Sequence, residues 1–368
     1  MKKSKIAIIS MISTCYFFIP LSVSAMNDEE QGAVLKQKSK LVEEDDINRQ
    51  SQSFLSAEQE GFIGSAHLVK SGSKYHSEKL KKEVDLYICD NNIFNTIFPI
   101  VKYTEESSWP SDCVGQIQVT GGDTSASGTL ISISYDESNK SITFKCVTAL
   151  HVFASFDTKN GLSIRHNREF VLGRKEAPSN TNKVYNLGVS SIDKVLIQKE
   201  PRDLCIFEGN FKPSSRLFES SKTFYDQFKN NIPKIVESQE KGKIVASMYH
   251  YPFGIKSQRN NTGIADLDNK THSMDSIYGS SGASIFNEKN EIFSIHTAHD
   301  AFDKTKIAIV KGMGATEEVP IVSSNLFELF SMKEYSDLIG GVNLYDNSQL
   351  TVEFKTKIGK AVENRLLK

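Results

Sequence analysis

From about residue 85 onward the chain is written in short β-favouring runs separated by turn signals, and that texture constrains the fold more than any other feature. Such runs stand at 115–119, 128–133, 141–147, 194–197, 203–207 and 243–246, the third with clean alternation. Runs at 284–286 and 291–295 flank Asn287-Glu288-Lys289-Asn290, which reads as a hairpin turn. Many short strands with regular turns predict an all-β barrel or sandwich, and no internal repeat of solenoid length is present. One helix is expected near the end, capped by Asn325 with Glu328 three residues on. Its apolar face would be Leu326, Phe327, Phe330 and Leu338, packed on the core.

The two ends read differently. Residues 1–25 carry Lys2, Lys3 and Lys5, an apolar stretch from Ile6 to Val23, and small residues at Val23-Ser24-Ala25, the pattern of a cleaved export leader. An uncleaved anchor helix is the alternative, because the apolar stretch is slightly long. Residues 26–84 are polar with poor apolar periodicity and predict a flexible pro-segment or spacer. The body is expected over 85–335, followed by a solvated tail at 336–368.

Charge and cysteines exclude several classes. The full chain has 44 Lys+Arg against 45 Asp+Glu; removing the leader's three lysines leaves 41 against 45, or -4. A mature chain of that charge is not a nucleic-acid binder of the basic kind. The leader also carries Cys15, so Cys89, Cys113, Cys146 and Cys205 remain, with three pairings open to them in an oxidising compartment. No C-x-x-C spacing supports a zinc site, so no metal is expected.

Three residues carry candidate chemistry. Gly279-Ser280-Ser281-Gly282 is a glycine-bounded turn between β-like runs, able to expose a serine hydroxyl and to aim backbone N–H groups at a developing oxyanion. A serine hydroxyl needs a base, and His151 stands at the end of the 141–147 run. Asp203, at the lip of an apolar run, is a candidate carboxylate for orienting that imidazole. Singly, each is equally well an ordinary loop serine, a core histidine or a turn aspartate. Together they follow the order His, Asp, Ser, with separations of 52 and 78 residues, one of the known orders of a catalytic triad.

The local motifs then show a family resemblance. Val147-Thr148-Ala149-Leu150-His151 resembles the Thr-Ala-Ala-His segment of chymotrypsin-like serine proteases, Arg202-Asp203-Leu204-Cys205-Ile206 their Asp-Ile-Ala-Leu segment, and Gly279-Ser280-Ser281-Gly282 their Gly-Asp-Ser-Gly. Ser281 through Glu288, followed by Ile292-Phe293-Ser294-Ile295-His296, is similar to the staphylococcal type of bacterial glutamyl endopeptidase, as are Tyr251-Pro252-Phe253-Gly254 and Ala126-Ser127-Gly128. The resemblance covers residues 112–335. It implies two packed six-stranded Greek-key β-barrels with a C-terminal helix, and His151, Asp203 and Ser281 as the triad. It also implies Gly279 and Ser281 N–H groups as the oxyanion hole, and no metal or organic cofactor. The expected protein is a secreted or periplasmic monomer acting on protein or peptide substrates, without stable membrane insertion once the leader is gone. A catalytically inactive binding or adhesin-like protein on the same barrels is the alternative.

Departures from the family bear on specificity and activation. Ser280 replaces the usual acid or asparagine, so an ion pair from a new N-terminus to that position is not expected. Thr297-Ala298-His299 replaces an aromatic and two glycines, so His299 would narrow the substrate subsite. By resemblance, His296 and Ser276 would line the primary pocket and donate to an acidic substrate side chain. Asp275, at the position where trypsin-type enzymes keep a selecting acid, favours basic substrates instead. Cys146 and Cys205 lie on strands that would be neighbours in the implied barrel, which allows a disulfide. Buried thiols are the alternative, and Cys89 and Cys113 are candidates for tying down the N-terminal segment.

Overall fold

The computed structural model describes residues 68–341, apart from short stretches at 105, 107, 120–124, 158–160, 165–167, 179–182, 199–201, 239–240, 300–301, 313–314 and 323. Residues 1–67, which hold the expected leader and most of the expected pro-segment, and residues 342–368 lie outside the described residues.

The chain enters as a hairpin, β1 (Val69–Ser77) and β2 (Lys82–Cys89), followed by the short helix α1 (Asn91–Ile97). Next come β3 (Val114–Val119), β4 (Ser125–Asp136) and β5 (Ser141–Thr148), then the ribbon β6 (Ala154–Asp157) and β7 (Gly161–Ile164). They are followed by β8 (Arg168–Leu172), the ribbon β9 (Lys175–Glu176) and β10 (Val184–Tyr185), then β11 (Gly188–Ser191), β12 (Lys194–Leu196) and β13 (Cys205–Pro213). Helix α2 (Ser221–Phe228) leads to β14 (Lys243–His250), β15 (Arg259–Asp266), β16 (Thr271–His272), β17 (Ser284–Phe286) and β18 (Ile292–His299). The long hairpin β19 (Phe302–Gly312) and β20 (Ala315–Val322), strand β21 (Asn325–Leu329) and helix α3 (Met332–Gly340) complete it.

Two antiparallel six-stranded barrels emerge. The first runs β11-β8-β3-β4-β5-β13 and closes through a β11–β13 pairing; the second is β14-β15-β16-β21-β18-β17. Lettered a to f in chain order, the strands of both barrels close in the same cyclic order, a-b-c-f-e-d, so one Greek-key topology is used twice. The first barrel is filled by aromatic rings: Phe144 stacks on Phe170 at 5.6 Å and meets Phe207 edge-on at 5.9 Å. Edge-to-face and offset pairs of this kind add to the burial of large apolar area. The second is filled by smaller side chains, among them Ala246, Met248, Ala265, Met274 and Ile285, with Phe293 and Phe327.

Two expectations are corrected, and the cysteine alternatives are decided. Residues 69–77 and 82–84, read as part of a flexible segment, are strands: β2 runs parallel to β19, Ile88 opposite Ile309 and Tyr87 opposite Ala308. That hairpin reads as polar because β1 is an edge strand with nearly every residue exposed, and its support comes from a strand more than two hundred residues away. Residues 325–329, read as a capped helix, form strand β21, with Leu326 opposite Thr271 and Phe327 opposite His296. The helix begins after Ser331, buries Leu338, and runs across the expected boundary at 335 to Gly340. All four described cysteines are free and buried. In the β5–β13 register Cys146 faces Phe207 and Cys205 faces Thr148, so the two thiols are offset by two residues. Diagonal neighbours lie about 7–8 Å apart, beyond the reach of a disulfide.

Candidate active site

The β5–β13 pairing explains why His151 and Asp203 meet. Thr148 lies opposite Cys205, so the turn after β5 and the loop before β13 leave the barrel at the same end. His151 sits in a 3-10 turn, Leu150–Val152, and its backbone N–H donates to Asp203 Oδ1 at 2.9 Å. Its ring Nδ1 bonds Asp203 Oδ2 at 2.8 Å, with both residues almost wholly buried. An ionised carboxylate accepts only, so the ring proton is assigned to Nδ1 and Nε2 is left as the basic nitrogen. Arg202 clamps this loop to the second barrel: it pairs with Glu328, donates to Glu334 at 2.7 Å and to the Leu329 carbonyl at 3.1 Å.

The Ser281 turn is pressed against the same strand end. Gly279 has φ +90°, and a Cβ there would lie 2.3 Å from the Tyr251 carbonyl oxygen. Gly282 has φ +78°, and a Cβ there would lie 1.9 Å from Thr148 Oγ1 and 2.8 Å from the Ala149 nitrogen. Only glycine permits both the left-handed backbone and that approach. The amides of Ser280, Gly282 and Ala283 donate to Ile277, His296 and Ser280 carbonyls at 2.9, 2.8 and 3.0 Å. Those of Gly279 and Ser281 donate to no protein carbonyl among the described residues. These are the two donors an oxyanion would need.

Ser280 is accounted for inside the second barrel. Its Oγ lies 2.8 Å from His250 Nδ1 and accepts from the Ile277 N–H at 3.2 Å. Burial, then the charges of Arg259 and His272, pull His250 down to about 3, so it is a neutral partner. The Phe98 ring packs on it at 5.5 Å between ring centres.

The expected specificity residues are partly gathered. His296 is buried, with Nδ1 3.0 Å from His272 Nε2. Burial first, then the neighbouring histidines His272, His250, His151 and His299, hold it well below the ordinary value. Ser276 Oγ donates to Asn325 Oδ1 at 2.7 Å, and Asn325 Nδ2 donates to the Met274 carbonyl at 2.7 Å. Thr297 is buried, and His299 is half-buried at the end of β18, opposite Asn325. Asp275 is half-buried, and after burial and Asp90 its charge helps push the Cys89 thiol up to about 12. His272 and Asn325 were not found by sequence reasoning. The first stands in a two-residue strand too short to show alternation, and the second has the residue type of a helix cap.

Two closed six-stranded barrels of one topology, followed by a C-terminal helix, define the chymotrypsin-like serine-protease fold. No family model matches the chain, and no curated protein matches it in sequence. Among solved structures it is similar to a Glu endopeptidase in complex with MPD, at 13% identity and TM-score 0.44, over 66% of this chain and 95% of that one. It is also similar to an inactive serine-to-alanine mutant of Rv3671c from M. tuberculosis H37Rv, at 10% identity and TM-score 0.34, over 66% of this chain and 96% of that one.

Proposed function

We propose that this chain is an exported serine endopeptidase that hydrolyses peptide bonds through His151, Asp203 and Ser281. The observation that carries the reading is the doubly bonded Asp203–His151 pair, which leaves Nε2 as the base at the barrel end where the Gly279–Gly282 turn docks. Ser281 Oγ attacks the scissile carbonyl while His151 Nε2 takes its proton, and the charged imidazole is stabilised by Asp203. The N–H groups of Gly279 and Ser281 bind the oxyanion. His151 then passes the proton to the leaving amine, which departs and leaves an acyl-enzyme. Water, deprotonated by the same nitrogen, releases the acyl group and restores the serine.

The pocket reading favours an acidic residue before the scissile bond. A neutral, buried His296 backed by His272 is poised to gain a proton when a substrate carboxylate arrives, since an opposite charge at close range favours the charged imidazole.

The test is labelling with a fluorophosphonate probe, expected for the native protein and absent in Ser281→Ala. Native protein that takes no label would instead favour the binding-protein reading. Matched Glu, Lys and Leu peptides then test the pocket: Glu should be cleaved fastest, and equal rates for Glu and Leu would remove His296 from specificity.

A further inference from the structure

The nucleophile turn belongs to the second barrel, yet one of the residues that hold its shape comes from the first. Ser127, the third residue of β4, is fully buried. Its N–H donates to the Ser281 carbonyl at 2.9 Å. Its Oγ donates to the Gly279 carbonyl at 2.8 Å and accepts from the Tyr251 N–H at 3.1 Å. Its own carbonyl accepts from Thr148 Oγ1 at 2.7 Å, three residues before His151.

A peptide unit is planar, so holding a carbonyl fixes the direction of the next residue's N–H. Four consecutive units of this turn are held in that way. The Tyr278 carbonyl accepts from Phe253 N–H at 2.7 Å and the Ser280 carbonyl from Ala283 N–H at 3.0 Å. Ser127 holds the other two, at Gly279 and Ser281, which are the units on either side of the one that carries the Ser281 N–H. The N–H groups left over are those of Gly279 and Ser281, the proposed oxyanion donors. Gly279 is the weak point of this frame, because glycine lets the flanking peptides rotate at little steric cost. The Ser127 hydroxyl is what holds its carbonyl.

We infer that Ser127 is a positioning residue for the oxyanion hole. It makes catalytic competence depend on the docking of one barrel against the other. The inference rests on the serine-protease reading of Ser281. Without the hydroxyl, the Gly279 carbonyl and the Tyr251 N–H are buried without this partner, and the Gly279–Ser280 peptide keeps only its Ser280 N–H bond to the Ile277 carbonyl. The donors in the peptides on either side of it, at 279 and 281, then lose alignment with the transition state rather than with the ground state.

The experiment compares native protein with Ser127→Ala and Ser127→Cys, the thiol filling the volume with a much weaker donor. Turnover of a peptide substrate, inhibition by a peptidyl boronic acid, fluorophosphonate labelling and Tm are read together. The expected result is a kcat lowered by about 10- to 100-fold, less than the loss of a donor itself, with KM changed by less than about twofold. The boronate inhibition constant should rise in parallel with the loss in kcat/KM. A packing role alone would lower Tm without that parallel. Variants with native kcat would overturn the assignment while native labelling keeps the protease reading intact. Two variants that fail to fold would make Ser127 a fold residue and overturn it as well. Native protein that takes no label would overturn the protease reading, and the assignment with it.

Discussion

At the scale of single residues, the Asp203 carboxylate does two jobs at once. One oxygen accepts from the His151 backbone and the other from its ring. Asp203→Asn separates the two. The amide oxygen can still accept from the backbone N–H, which presents an NH2 group to Nδ1. That nitrogen must then accept, the ring proton moves to Nε2, and the base is lost. Turnover is expected to fall by about 10³–10⁴-fold, with Tm within a few degrees of native. Stopped turnover assays beside thermal melts check this, and a variant retaining a tenth of native kcat would show that tautomer control is not Asp203's role.

At the scale of elements, the N-terminal segment is part of the fold that carries the site. Helix α1 is capped by Asp90, which accepts from Asn92 and Ile93 N–H groups at 2.9 Å, and it buries Phe94 and Ile97. Arg259 and Asn261 of β15 hold its end through the Phe98 and Ile97 carbonyls at 2.9 Å. Phe98 then packs behind His250, which bonds Ser280, the neighbour of Ser281. Position 280 is thus held by a neutral histidine under this N-terminal strap, without an acid that awaits a new N-terminus. Phe98→Ala should cost about 3–5 kcal/mol of stability and also lower kcat, whereas truncating the exposed Trp109 should leave kcat unchanged. Urea unfolding and turnover of both variants decide it; a stable Phe98→Ala with native kcat would detach the strap from the site.

At the scale of the whole molecule, the buried histidines set the response to acid. Folded, His250 and His272 each titrate only at about 3, against an ordinary value of 6.5, chiefly because burial disfavours the charged ring. Between those limits the unfolded chain binds more protons, so stability is fully present above about pH 6.5 and falls as pH falls. The slope is about 1.4 kcal/mol per pH unit for each histidine. Urea midpoints measured from pH 7 to pH 5 should drop steeply, and His272→Gln should flatten the slope. A midpoint indifferent to pH over that range would mean that these rings carry protons in the folded state.

The strand runs at 115–119, 141–147 and 284–295, and the order of His151, Asp203 and Ser281, were legible because alternation, turn residues and local motifs are properties of neighbouring residues. The sequence by itself therefore determined the β class, the Gly279–Gly282 turn and the three residues proposed for chemistry. What only the tertiary structure decided depends on contacts between distant segments. Strand β2 is a strand because β19 pairs with it, and 325–329 is extended because β16 and β18 lie on either side. Cys146 and Cys205 stay reduced because the register offsets them. Ser127, one small residue in an unremarkable strand, gains its place at the site only when two barrels close against each other, because each of its four hydrogen-bond partners lies 21 or more residues away along the chain.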